Sequence, residues 1–284
     1  MADDSQATAV PRLATPFPAM SASRGQPNCT MLKISQNQIQ AFEASAQRSF
    51  EEEMTSHIRT FAPRRCREID DGQLRMAVRD GINRARVYEF TNKGPIRLFL
   101  ETMLLFGAHF DTDPQYPVFA SQLSASTDQM VRAERIYDEI VAYQSVVLGQ
   151  GSRNLRDALA ALIDLARSSG ARVDDFDANM LQALASSFPK KAAYVGRERL
   201  QGLIRRGRVE ASGYGLHGAR AQTILVTAMF ALGHGISRDW LYPAVQQALA
   251  DMSVRDTSAL AERFESTLLL LLERTLADIS KEAQ

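Results

Sequence analysis

The run Met103-Leu104-Leu105-Phe106-Gly107-Ala108-His109-Phe110-Asp111-Thr112-Asp113-Pro114-Gln115-Tyr116-Pro117 has a counterpart 126 residues later. The counterpart reads Met229-Phe230-Ala231-Leu232-Gly233-His234-Gly235-Ile236-Ser237-Arg238-Asp239-Trp240-Leu241-Tyr242-Pro243. Both are an apolar helical end, a glycine, a short turn closed by an aspartate, and then Tyr-Pro. Spreading outward without a gap, the same shift lays Pro63 on Pro189, Leu74 on Leu200, Arg79 on Arg205 and Gly81 on Gly207. It continues through Ala85 on Ala211, Tyr88 on Tyr214 and Leu123 on Leu249. Twelve identities fall in the 61 positions from 63 to 123, about 20%, where composition alone gives roughly 6%. Arg64-Arg65 faces Lys190-Lys191, and a two-residue slip then aligns Ala133-Glu134-Arg135-Ile136 with Ala261-Glu262-Arg263-Phe264. A register kept over that distance reads as an internal duplication.

Periodicity sets the fold class. Apolar residues recur every three or four positions over 71–88, 94–107, 113–124, 128–148, 154–168, 177–188, 197–212, 219–232, 239–252 and 256–281, with little strand-like alternation. Ser35, with Gln38 at the capping-box position, opens a long helix through about Phe61, in which Ile39, Phe42, Ala46, Phe50 and Met54 form one apolar stripe. Glu51, Glu52 and Glu53 fall on its wet face. Residues 1–30, rich in Ala, Ser, Thr and Pro, read as a flexible tail. The expected architecture is all-α: a tail (1–30), a first multi-helix unit (31–150) and a second, diverged copy (151–284). The repeat assigns Gly107 and Gly233 as left-handed C′ glycines that end helices. It assigns Asp113 and Asp239 as N-caps of the next helices, with Pro114 at N1 in the first copy.

Composition narrows the function classes. The 284 residues carry 33 Lys+Arg against 33 Asp+Glu, a balance that disfavours sequence-independent nucleic-acid binding. Two cysteines, Cys29 and Cys66, allow at most one disulfide, and two free thiols suit a reducing cytoplasm. No signal peptide is visible, and the most apolar run, Leu268 to Leu272, falls far short of a membrane span of roughly 20 residues.

Motifs for chemistry are sparse. His109, Asp111 and Asp113 have the residue types of a metal triplet, but the second copy keeps only the aspartate at 239, so the turn folds without the set. No G-x-S-x-G or H-E-x-x-H motif is present, and no acid/base pair or cofactor fingerprint can be named. The Gly213-Tyr214-Gly215-Leu216-His217-Gly218 stretch follows a helix and lacks a phosphate-binding lysine, so it reads as a connection. This leaves surfaces. Arg205, Arg206 and Arg208 fan around one helix, either as a solvated face or for an acidic partner. Phe110, Tyr116 and Phe119, with Trp240 and Tyr242 opposite, either pack the junction between copies or anchor a partner.

The stretches Leu32-Lys33-Ile34-Ser35, Leu74 to Tyr88 and Leu104 to Pro114 resemble small helical proteins encoded beside type VI secretion effectors and their adaptors. The likeness covers about residues 31–120, and its pattern is an apolar helix ending in Phe-Gly, a Phe-Asp-x-Asp-Pro turn and an aromatic-Pro helix. It implies a non-catalytic cytoplasmic protein whose partner is a type VI effector or its adaptor. Such a protein acts as adaptor or co-chaperone, or alternatively as an immunity protein against a cognate toxin. The alternative from another class is a ligand- or nucleic-acid-responsive regulator, which needs a polar-lined pocket or a basic recognition helix.

Overall fold

The computed structural model describes residues 35–67, 69–168, 175–250 and 257–282, so the tail assigned to 1–30, with Cys29, lies outside the described residues. Twelve α-helices and no strand occur among them. They are α1 (Gln36–Phe61), α2 (Asp71–Val87), α3 (Lys93–Phe106), α4 (Pro117–Leu123), α5 (Gln129–Tyr143) and α6 (Arg153–Arg167). The second half adds α7 (Phe176–Ser187), α8 (Pro189–Val195), α9 (Arg197–Gly213), α10 (Ala219–Leu232), α11 (Pro243–Ala250) and α12 (Thr257–Glu282). The division between compact units falls after Glu43, so the part of the first assigned copy from Ala44 on shares one body with the second.

Local chemistry accounts for the helix ends. Ser35 and Gln38 form the reciprocal capping box: the Ser35 N–H donates to Gln38 Oε1 at 2.9 Å, and the Gln38 N–H to Ser35 Oγ at 3.3 Å. Asp70 caps α2 through the Gln73 N–H, and Asp128 caps α5 through the Met130 N–H. Pro117 and Pro189 stand at the first turns of α4 and α8, where a missing N–H costs nothing. Helix α8 has no counterpart among the periodic segments, being too short to show a period. The helix expected over 128–148 is α-helical only to Tyr143 and finishes as a π-helical turn, Gln144–Leu148.

Element boundaries recur at the spacing of the sequence repeat. Helices α2 and α9 begin at 71 and 197, α3 and α10 at 93 and 219, and α4 and α11 at 117 and 243. The 3₁₀ turns Phe110–Thr112 and Ile236–Arg238 keep the same offset. At α5 and α12 the offset becomes two residues longer. Gly81 and Gly207 share a steric reason for being glycine. A Cβ on Gly81 would come within 2.5 Å of Met103 Sδ on α3, and one on Gly207 within 2.6 Å of Val226 Cγ2 on α10. Each pair of helices therefore crosses at backbone distance.

The two halves meet through Gly107 and Gly233, and here the reading as simple C′ glycines needs correcting. Both have positive φ (95° and 115°), but ψ is near 150°, outside the left-handed helical basin and open essentially to glycine alone. They lie back to back: a Cβ on Gly107 would sit 2.7 Å from the Leu232 carbonyl oxygen, and one on Gly233 2.5 Å from that of Phe106. The aspartates also differ from the expected N-caps. Asp113 closes its 3₁₀ turn and reaches across the junction, accepting from the His234 N–H at 2.8 Å and the Gln115 N–H at 2.9 Å. Asp239 reciprocates, accepting from the Ala108 N–H at 2.8 Å and the Leu241 N–H at 2.8 Å. Helix α4 itself starts at Pro117, with Tyr116 before it.

Around this junction the core is continuous. Helix α10 is buried nearly all round, with Thr223 and Thr227 inside among apolar neighbours, and it packs on α9, α12, α6 and α7. Each fully buried Leu, Ile or Phe contributes about 1.5–3 kcal/mol. The polarity expected of α1 fails twice. Glu51 is buried and paired with Arg79 at 2.9 Å, whereas Ile39 and Phe42 are exposed. The apolar stripe is covered only in its second half, at Met54 and Ile58.

Gly107→Ala should lose about 3 kcal/mol of unfolding free energy in urea titrations, combining a strained positive φ with a clash against backbone. Gly94→Ala, in α3 with open space around it, should stay within about 1 kcal/mol of the parent and lean toward gain. Similar values for both variants would show that the glycine junction does not hold the halves together.

Candidate functional site

The aromatic residues considered as partner anchors divide by burial. Phe110, Tyr116, Phe119 and Tyr242 are buried, so they cannot anchor a partner in this state. Phe106 explains the first three: its ring centroid lies 4.9 Å from Tyr116 and 4.8 Å from Phe119, and Phe110 packs on Phe119 at 5.6 Å. Trp240 is partly exposed beside the junction. Of the arginines, Arg205 is exposed and Arg206 half-buried. Arg208 is engaged within the chain, bonded to Asp177 at 2.7 Å and stacked 5.2 Å over the Phe176 ring. The eight residues therefore do not form one surface.

The His109-Asp111-Asp113 triplet does not converge either. Asp111 is held by Arg84 and by the Tyr88 hydroxyl, which donates to it at 3.0 Å. The Arg84 guanidinium also donates to the Ala108 carbonyl at 2.6 Å. Burial, reinforced by Arg84, lowers the His109 pKa to about 4, so the ring is neutral at pH 7. At the corresponding places Glu210 on α9 meets Ser237, so the two turns are pinned to α2 and α9 by different polar pairs. No cluster of three metal-ligating side chains occurs among the described residues.

What the structure does assemble is a cavity of about 370 Å³ at the junction. Its walls come from the chain around Pro63, the ends of α3 and α10, the π-helical turn, and helices α6, α8 and α12. Two cations at corresponding positions line it. Arg65 donates to the Leu104 carbonyl and approaches the Tyr242 hydroxyl at 3.5 Å. Lys191, 126 residues on, donates to the Phe230 carbonyl, the counterpart of Leu104, and lies 5.2 Å from the ring of Tyr116, the counterpart of Tyr242. Both cations satisfy carbonyls at helix C-terminal ends, where positive charge is favourable.

Burial differs between them. Arg65 is exposed at the mouth, whereas Lys191 is 1% exposed, and burial pulls its pKa down to about 7 although Asp113 opposes the shift. Burial likewise pushes the Tyr116 and Tyr143 phenols upward, so both stay protonated at neutral pH. Ser152, also on the wall, holds φ 56° without being glycine, a strained conformation of the kind that collects at functional sites. The sequence held one signal for this site: the basic pair at 64–65 has a basic partner at 190–191. Nothing in it showed that both would reach one cavity.

No protein-family model, curated protein or solved structure matches this chain. Among the described residues no helix is long and apolar enough to cross a membrane.

Lys191 gives the fold a pH signature. Its folded pKa lies below the unfolded value of 10.5, so the unfolded chain binds more protons and stability rises with pH. Between pH 7 and pH 9, below the titration of the unfolded tyrosines, the gain should be about 2 kcal/mol. Urea titrations across that range should show it in the parent and lose it in Lys191→Met; an equal gain in both would place the effect elsewhere.

Proposed function

We propose that this chain is a non-catalytic protein-binding module, and that its partner is an effector of a type VI secretion system or the adaptor that loads it. The observation that carries the reading is the uncovered apolar stripe of α1. Ile39 and Phe42, on the first turns of α1, are apolar and exposed, Phe42 at 68%. An amphipathic helix that shows its apolar side to water matches the helix-in-groove mode of recognition. Helix α5 adds a second face, with Met130, Tyr137 and Val141 exposed within one stripe. The resemblance of residues 31–120 to helical proteins of effector neighbourhoods supports the partner class. The absence of a nameable acid/base pair or nucleophile in the sequence supports binding over turnover.

The partner is expected to present an apolar groove with a polar rim. Co-expressed with the effector or adaptor encoded beside it, the chain should co-purify as a stoichiometric complex. Ile39→Ser with Phe42→Ser should weaken that complex about tenfold or more while leaving the melting temperature unchanged. If the role is loading, deleting the gene should abolish delivery of the effector and spare the producing cell; if immunity, deletion should intoxicate the cell unless the effector is inactivated. A chain that binds neither protein, and whose loss changes neither delivery nor survival, overturns the reading. A ligand-responsive regulator, the reading favoured by the junction cavity, would then move ahead.

A further inference from the structure

The cavity beneath the glycine junction combines three features that a water-filled gap between helices does not require. First is its size. A cavity of 150 Å³ holds a benzene ring, so about 370 Å³ accommodates an organic molecule of roughly fifteen non-hydrogen atoms. Second is its lining. Leu105, Leu148, Leu155 and Ile279 give apolar walls, as small-molecule sites generally have. Third is charge: Arg64, Arg65 and Lys191 line it against a single carboxylate residue, Asp278.

Donor counting gives the charge its meaning. An ammonium has three N–H donors and a guanidinium five. Lys191 is bonded to the Phe230 carbonyl, and Arg65 to the Leu104 carbonyl and Tyr242 hydroxyl. Both therefore keep donors beyond the helix ends they satisfy. Among the described residues no carboxylate forms an ion pair with Lys191; its ammonium faces the rings of Tyr116 and Phe230 at 5.2 and 5.0 Å, and a buried cation without an anion is costly. A small anion in the cavity would supply that missing partner, with the apolar walls covering the rest of the molecule.

We propose that the junction cavity is a binding site for a small amphipathic carboxylate, held by Lys191 at its floor and Arg65 at its mouth, with the ligand's apolar body against Leu148 and Leu155. This site is independent of the apolar stripe on α1, and its occupation does not depend on a protein partner. Because both halves of the chain build it, an occupant would tie α3, α8 and α10 together at the point where the halves touch.

Isothermal titration of the full chain with sodium octanoate tests the proposal, with octanamide as the uncharged analogue and inorganic phosphate as the anion without an apolar body. Octanoate should bind at one per chain. Octanamide and phosphate should each bind about tenfold more weakly or not at all, because each lacks half of what the site recognises. Lys191→Met should lower octanoate affinity about tenfold or more, and Leu155→Trp, which fills the cavity, should abolish binding. Circular dichroism and urea unfolding establish that each variant is folded; should Lys191→Met fail, Arg65→Met carries the charge test from the exposed mouth. No octanoate binding to the folded parent up to 10-millimolar levels, equal affinity for octanamide, equal affinity for phosphate, or octanoate binding that survives Leu155→Trp would each overturn the proposal.

Discussion

Two glycines set the distance at which everything else in the body is placed. Gly107 and Gly233 end α3 and α10 with backbone against backbone, a separation no side chain could share. At that spacing each aspartate of the following turn reaches the N–H just past the opposite glycine: Asp113 bonds His234 and Asp239 bonds Ala108. These N–H groups lie just past helix ends, where a buried donor without a partner would cost about 1–3 kcal/mol. Burial pushes the Asp239 carboxyl up to about 6, and the two N–H donors it accepts from offset part of that penalty. The contact is thus reciprocal in geometry and self-satisfying in hydrogen bonds.

Consequences spread from there. With the ends of α3 and α10 side by side, their last carbonyls face the same space, and each attracts a cation from the segment that corresponds to the other's. Arg65 and Lys191 answer that need. The same solution recurs away from the junction, where buried Arg132 donates to the carbonyls of Tyr88 and Leu123 at 2.8 and 2.6 Å and stacks 4.9 Å over the Phe90 ring. Arg65, Lys191 and Arg132 thus serve helix ends, while Arg79, Lys93, Arg97, Arg167, Arg208 and Arg220 pair with carboxylates. Their abundance therefore says little about nucleic acid, in keeping with the neutral overall balance.

Two kinds of surface result, and they differ in physics. The exposed line of Ile39 and Phe42 on α1 is apolar and open, suited to another protein's groove. The junction cavity is a recess lined by Arg64, Arg65 and Lys191, suited to something small. By sequence the aromatic residues were open to two roles, packing the junction between copies or anchoring a partner. Phe106 separates them, because a ring at the centre of the core draws Tyr116, Phe119 and Tyr143 inward and leaves Trp240 at the edge.

Helix class, the larger helices and the 126-residue spacing were legible in the chain, because periodicity, caps and prolines act on neighbours within a few positions. Ser35 with Gln38, Asp70 and Asp128 are cases where local hydrogen bonding alone chose the boundary. Gly107 and Asp113 were recognisable as special but were given local roles, since a glycine after a helix and an aspartate before one have ordinary local explanations. Their actual partners lie more than 120 residues away, and no window of sequence contains both ends of that contact. The same holds for Glu51, placed on the wet face by its wheel position until Arg79 of α2 folded over it. For Lys191, sequence determined only that a basic residue stands where the other copy also has one; tertiary packing buried it, shifted its proton and put a cavity beside it, because burial is a property of neighbours that the chain brings together only when it folds.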